Sequence, residues 1–212
     1  MRSALKKSII FSFCFVVSAC AQKEIVLKST EMFPLRQLEK SVPVTPIKGD
    51  LKVLLFVDQR SSKASFGIAK TGMFNLETPI YMDISAEEYV KNRFISGLSK
   101  RGVDVVSDSN YAIQGNIKKL WVWEYANGLM PEHSNCEIEI EFEIFSNKDK
   151  VLRYHGSVSS NATGTDSILD TTDSDGPILE ICMNYIVEKF AQDPQVQMFI
   201  KSKLARISNP IF

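Results

Sequence analysis

From Cys136 to Ile144 the chain reads Cys-Glu-Ile-Glu-Ile-Glu-Phe-Glu-Ile, with an apolar side chain at every even position and a glutamate at every odd one. Only an extended strand, whose side chains alternate between two faces, sorts such a run cleanly. A helix would scatter the glutamates around its circumference. The chain must therefore build a sheet with one face on a core and the other in water. Tyr111, Ile113, Gly115, Ile117, Trp121 and Trp123 occupy alternate positions in the same manner, with Gln114, Asn116 and Lys118 between them. Leu152, Tyr154, Gly156 and Val158 alternate with Arg153, His155 and Ser157 after a turn at Asn147-Lys148-Asp149-Lys150. The three strands predict an antiparallel meander.

Other segments supply its cover. Leu51 to Val57 is almost continuously apolar, as in a central strand buried on both faces, and stops at Asp58-Gln59-Arg60. Residues 61–84 mix Gly, Ser and Thr with small apolar groups and read as a long loop or hairpin. Ser85-Ala86-Glu87-Glu88 has the spacing of a capping box. The helix it opens carries Tyr89, Val90, Phe94, Ile95 and Leu98 on one stripe and stops at Gly102, before a short strand from Val103 to Val106. A polar loop from Ser159 to Asp175 leads through Gly176-Pro177 to a second long helix with the stripe Leu179, Cys182, Met183, Ile186 and Phe190. Asp193-Pro194 is the N-cap and first turn of a short terminal helix, Gln195 to about Ala205. The expected class is α+β: a mainly antiparallel sheet of about four to six strands, two long helices packed on one face and a short C-terminal helix.

The beginning of the chain sets an address. Arg2, Lys6 and Lys7 precede the apolar run Ile9 to Val17, about half the length that spans a bilayer, which identifies a removable export signal. Val17-Ser18-Ala19-Cys20 resembles a bacterial lipobox, whose cysteine is acylated and becomes the first mature residue. Residues 1–19 are then removed, residues 20–50 comprise lipidated Cys20 and a flexible tether in which Glu24 to Leu27 has the makings of a short strand, residues 51–207 form one periplasmic domain, and residues 208–212 are a tail. Covalent diacylglycerol and N-acyl lipid on Cys20 hold the protein at the membrane, since more than one acyl chain gives stable attachment. No other cofactor is expected. Ala21, where aspartate would mark inner-membrane retention, points to the outer membrane, periplasmic face. Removal of Arg2, Lys6 and Lys7 leaves 22 basic residues against 25 acidic ones, a balance that argues against a nucleic-acid partner.

Four features together resemble the YajG-type family of uncharacterised bacterial lipoproteins. They are the Val17–Cys20 lipobox, Asp58-Gln59-Arg60 after the first core strand, a helix ending in Arg101-Gly102 before a strand, and Ala191-Gln192-Asp193 followed by Phe199-Ile200-Lys201. The resemblance spans nearly the whole mature domain and departs in the longer segment between Arg60 and Ser85 and in the Trp121-Val122-Trp123 strand end. It implies a membrane-anchored envelope protein and brings no established reaction or ligand.

Candidate chemistry is sparse. His133 and His155 belong to no metal or nucleophile motif. Asp166, Asp170, Asp173, Asp175 and Gly176 fail the EF-hand register, which would put Thr171 at position one and Cys182 at position twelve. Glu137, Glu139, Glu141 and Glu143 are either a cation or basic-partner surface or a solvated face neutralised by Lys118 and Arg153 on neighbouring strands. Trp121, Trp123 and Tyr125 belong to core or sheet rim, or line an apolar groove. Asn161-Ala162-Thr163 matches a glycosylation acceptor by pattern only. Asp58 and Arg60, at the carboxyl end of a strand, form an ion pair that fixes the next loop or a binding pair. Cys136 and Cys182 both fall on apolar faces, as a disulfide or as buried thiols. No catalytic or metal residue is expected. The reading is a non-enzymatic envelope lipoprotein that works through protein or lipid contacts, with an envelope-protein partner in view. An auxiliary lipoprotein of a transport system, holding an apolar substrate in a groove, is the alternative, and an enzyme the third.

Overall fold

The structure, a computed structural model, describes residues 24–27, 46–71, 76–125, 133–164 and 178–207. Its elements are β1 (Ile25–Leu27), β2 (Gly49–Asp58), β3 (Gly67–Thr71), β4 (Leu76–Met82), α1 (Ala86–Lys100), β5 (Val103–Val105), β6 (Tyr111–Tyr125), β7 (His133–Ser146), β8 (Leu152–Gly164), α2 (Ile178–Gln192) and α3 (Pro194–Ile207).

The meander β6-β7-β8 is present and antiparallel. The rest of the eight-stranded sheet is mostly parallel: β1 pairs β4, β5 pairs β2, and β2 and β3 both pair β6 in parallel, while β3 and β4 form an antiparallel hairpin. The sheet is mixed, correcting the mainly antiparallel expectation, because a period of two reports which face a side chain takes and is blind to strand direction. The terminal helix is also longer than expected. Its 14 residues stand beside 15 each in α1 and α2, so among the described residues three comparable helices stand in place of two long ones and a short one.

α1 starts where the capping box places it. Ser85 Oγ accepts the backbone N–H of Glu88 at 3.1 Å, and the chain leaves the helix through Gly102 at φ +86°, a left-handed conformation that favours glycine. Asp193 caps α3 by accepting from Gln195 N at 2.8 Å, and its other oxygen accepts the Tyr154 hydroxyl of β8 at 2.8 Å. α1 packs on β2 and β5, α2 on β7 and β8, and α3 on β2. Phe56, Phe94, Phe142 and Phe190, one from each of β2, α1, β7 and α2, meet with ring centroids 4.7–6.2 Å apart. Gly115 makes room: a Cβ there would lie 2.4 Å from the Phe56 ring.

The outer sheet face is open. Leu55 and Val57 are 69% and 47% exposed, so β2 is not buried on both faces as its apolar run suggested. β8 continues to Gly164, paired to β7 as far as Ser134, so residues 159–164 are strand and not loop. β1 and the start of β2 lie within the stretch read as tether. Cys136 of β7 and Cys182 of α2, both fully buried, form a disulfide with Cα atoms 6.4 Å apart.

Two ion pairs, eight residues apart along each segment, join α1 and its C-cap residue Arg101 to α2. Arg93 Nε lies 2.9 Å from Glu180 Oε1, and Arg101 Nη2 lies 2.7 Å from Glu188 Oε2. Between them Gly97 allows close approach, since a Cβ there would sit 2.9 Å from Val187. Burial pushes the Glu180 carboxyl up to about 7 despite Arg93 and the Tyr89 hydroxyl that donates to it. Its contribution to stability is thus complete below the ordinary value of 4.5 and is lost as pH rises through about 7. Glu180→Gln removes that titration. The urea midpoint of the variant should gain on wild type between pH 5 and pH 8, and an unchanged difference would contradict the shift.

Candidate functional site, a tryptophan-lined cleft

The site arises from how β6 shares its edge. One edge pairs β7 from Tyr111 to Tyr125. On the other, β2 stops at Asp58 opposite Ile117 and β3 begins at Gly67 opposite Val122. Residues 59–66 bridge the gap, with Gln59 N donating to Ile117 O at 3.0 Å and Val122 N donating to Phe66 O at 2.9 Å. Arg60 braces them. Its Nε and Nη2 donate to the two Asp58 oxygens at 2.9 and 2.8 Å, and its Nη1 donates to Ser65 O at 3.1 Å and Leu120 O at 3.2 Å. The guanidinium also lies 5.0 Å from the Phe66 ring centroid. Both side chains of the pair are about 5% exposed. Burial alone would raise the Asp58 carboxyl, but the hydrogen bonds and charge of Arg60 outweigh it and hold the group below its usual range.

Within the same gap β6 carries a bulge. Ile117 faces Ile140 and Lys119 faces Glu139, so Lys118 is an extra residue. The bulge reverses the alternation. Ile113, Gly115 and Ile117 point inward before it, and Leu120, Val122 and Glu124 after it. Trp121 and Trp123 consequently lie on the wet face, paired with Glu137 and Asn135, rather than on the face of Ile113 and Ile117 where simple alternation put them. The signal was present: two consecutive lysines between Ile117 and Leu120 break a period of two.

Trp121 and Trp123, with Leu120 behind them, line a cleft of about 460 Å3 whose walls are Arg60, Ser61, Ser62, Lys118, Lys119 and Glu137. Its cations are all engaged. Lys119 Nζ lies 2.6 Å from Glu137, and Lys118 Nζ lies 2.8 Å from Glu141 and donates to Gln59 Oε1 at 2.8 Å. Hydrogen bonds from Lys118 and then His155 hold the Glu141 carboxyl below its usual range. Glu139 accepts from Ser157 and Glu143 from Gln114, so the glutamate ladder is a largely partnered face. Arg153, expected to serve it, pairs with Asp149 in its own hairpin instead.

Among the residues singled out in the sequence, the fold gathers Arg60, Trp121 and Trp123 at the cleft and sets Asp58 beneath it. The Cys136–Cys182 disulfide lies on the core side. His155 sits against Glu141 and His133 at the start of β7. Cys20, Gly176 and the aspartates from Asp166 to Asp175 lie outside the described residues. Ser61, Ser62 and Lys119 had drawn no notice. Among the described residues no group of three or more His, Cys, Asp or Glu side chains is placed to hold a metal ion, and no helix is long and apolar enough to cross a membrane.

No protein-family model matches the chain, and no curated protein does. Among solved structures it is similar to protein XCC0632 from Xanthomonas campestris, of family DUF330, at 11% identity and a TM-score of 0.48 over 79% of this chain and 96% of that one. It is similar to the PelC dodecamer from Paraburkholderia phytofirmans at 11% identity and a TM-score of 0.37, covering 71% and 92%. It is also similar to a minor lipoprotein from Acinetobacter baumannii at 8% identity and a TM-score of 0.34, covering 74% and 95%.

Proposed function

We propose that this chain is a non-catalytic lipoprotein, held at the outer membrane through acylated Cys20 and facing the periplasm, whose domain binds a partner or ligand in the tryptophan-lined cleft. The observation that carries the reading is the placement of both tryptophans on the wet face of a strand whose other face is packed core. Large aromatic groups presented from a rigid element at a concave surface are the usual anchors of recognition. The ionisable groups of the cleft are committed to one another, which favours holding over chemistry. A carrier of apolar substrate would want an enclosed cavity, whereas this cleft, though floored by apolar groups, is open and rimmed by ion pairs and hydroxyls. The export signal and lipobox support the address.

A photo-reactive amino acid in place of Ser62 in the full lipoprotein, in cells, tests this. Cross-links to an envelope component should form in the membrane fraction and fall several-fold when Trp121 and Trp123 are both alanine and the melting temperature is unchanged. In Cys20→Ser the protein should leave that fraction. Labelling at Ser62 no stronger than at exposed Lys201 of α3 would overturn the cleft as the binding surface.

A further inference from the structure

The charge balance of the cleft narrows what can occupy it, and the narrowing rests on the reading of the cleft as the binding surface. Arg60 lies 2.8 Å from Asp58, Lys118 2.8 Å from Glu141 and Lys119 2.6 Å from Glu137. An anionic ligand would have to share each cation it used with a carboxylate already bound there. A cationic ligand would have to displace a lysine from Glu137. Neither finds a charge waiting for it. An acyl chain would find an apolar floor in Leu120, Trp121 and Trp123, but the cleft is open and the chain's far side would stay in water. What remains is a neutral molecule with an apolar face for the indoles and many hydroxyls for the walls.

We propose that the cleft binds a neutral glycan, whose C–H ring faces stack on Trp121 and Trp123 and whose hydroxyls meet Ser61, Ser62 and the Lys119–Glu137 pair. The two indoles stand two residues apart on one strand, about 7 Å along its axis, so linked sugar rings can lie across both. Lys119 and Glu137, 47% and 40% exposed, offer a donor and an acceptor side by side, the arrangement that vicinal hydroxyls satisfy. Ser61 and Ser62 also line the cleft and are exposed. The backbone that carries them is pinned by Arg60, which limits the entropy lost on binding.

The chain has two tryptophans and both line the cleft, so their fluorescence reports on this site alone. The full lipoprotein in a polyoxyethylene detergent, titrated with tetra-N-acetylchitotetraose and separately with maltotetraose, should show a saturable change in emission with at least one of them. Calorimetry should find the affinity weakened at least about tenfold in Trp121→Ala and in Trp123→Ala. The affinity should be nearly the same at 50 mM and 500 mM salt, since no net charge is exchanged. Binding of inorganic polyphosphate or of anionic phospholipid vesicles in the cleft, lost at high salt, would overturn the neutral class. Silence toward both oligosaccharides, with Ser62 still cross-linking an envelope protein, would overturn the glycan and leave the binding module standing. Silence in both experiments would remove both readings.

Discussion

Arg101→Ala is expected to destabilise the domain by about 3–5 kcal/mol, the range for removing one partner of a buried pair. The side chains of Arg101 and Glu188 are 2% and 7% exposed. Arg101 Nε and Nη2 donate to Glu188 Oε2 at 2.9 and 2.7 Å, and Nη1 donates to Gly97 O at 2.8 Å. Truncation therefore leaves a carboxylate without its guanidinium in a dry interface and takes a donor from a helix carbonyl. The cost is that of an uncompensated charge and not the net worth of the pair. The double replacement Arg101→Met, Glu188→Leu should accordingly recover most of the loss. Urea unfolding of wild type, single and double variants checks both statements. A single variant within about 1 kcal/mol of wild type would mean that water reaches the α1–α2 interface.

Loss of the Cys136–Cys182 disulfide is expected to cost about 4 kcal/mol, from closure of a chain loop spanning 46 residues. The bond joins the middle strand of the meander to the helix that covers it, and both residues are fully buried. The cysteines pack as small apolar groups, so Cys136→Ala with Cys182→Ala leaves little cavity and reports mainly on the lost cross-link. The urea midpoint should fall by similar amounts in this variant and in fully reduced wild type. Mass spectrometry of denatured, non-reduced protein should yield a linked Cys136–Cys182 peptide. Two alkylatable thiols would reject the bond.

How much of this was legible depended on how local each cause is. The Glu-apolar alternation of β7, the capping box at Ser85, the glycine stop at Gly102 and the Asp193 cap all act within a few residues, and each stands where the sequence placed it. Strand direction and partner choice are decided across the chain. The parallel pairing of β2 and β3 along one edge of β6 therefore left no mark in either strand. The apolar run of β2 suggested two covered faces, but helices cover only one, which exposes Leu55 and Val57. At the cleft, Asp58, Arg60, Trp121 and Trp123 stood out as residue types. Their relation depended on a one-residue bulge, which inverts every side chain beyond it. Ser61 and Ser62 owe their place to the Arg60 brace, a contact no periodicity reveals.

The shared edge of β6 has a consequence for how such a protein changes over generations. The Arg60–Ser85 segment and the Trp121-Val122-Trp123 strand end are one physical object. β3 lies within the first and pairs with the second through Gly67–Val122 and Ile68–Trp123. The β3–β4 hairpin attaches beyond the bulge, while Phe56, Phe94, Phe142 and Phe190 pack on the other side of it. A lineage can change the exposed residues of that hairpin without touching the aromatic rings, whereas Phe66, Ala69 and Ile80 belong to the common core and are held with it.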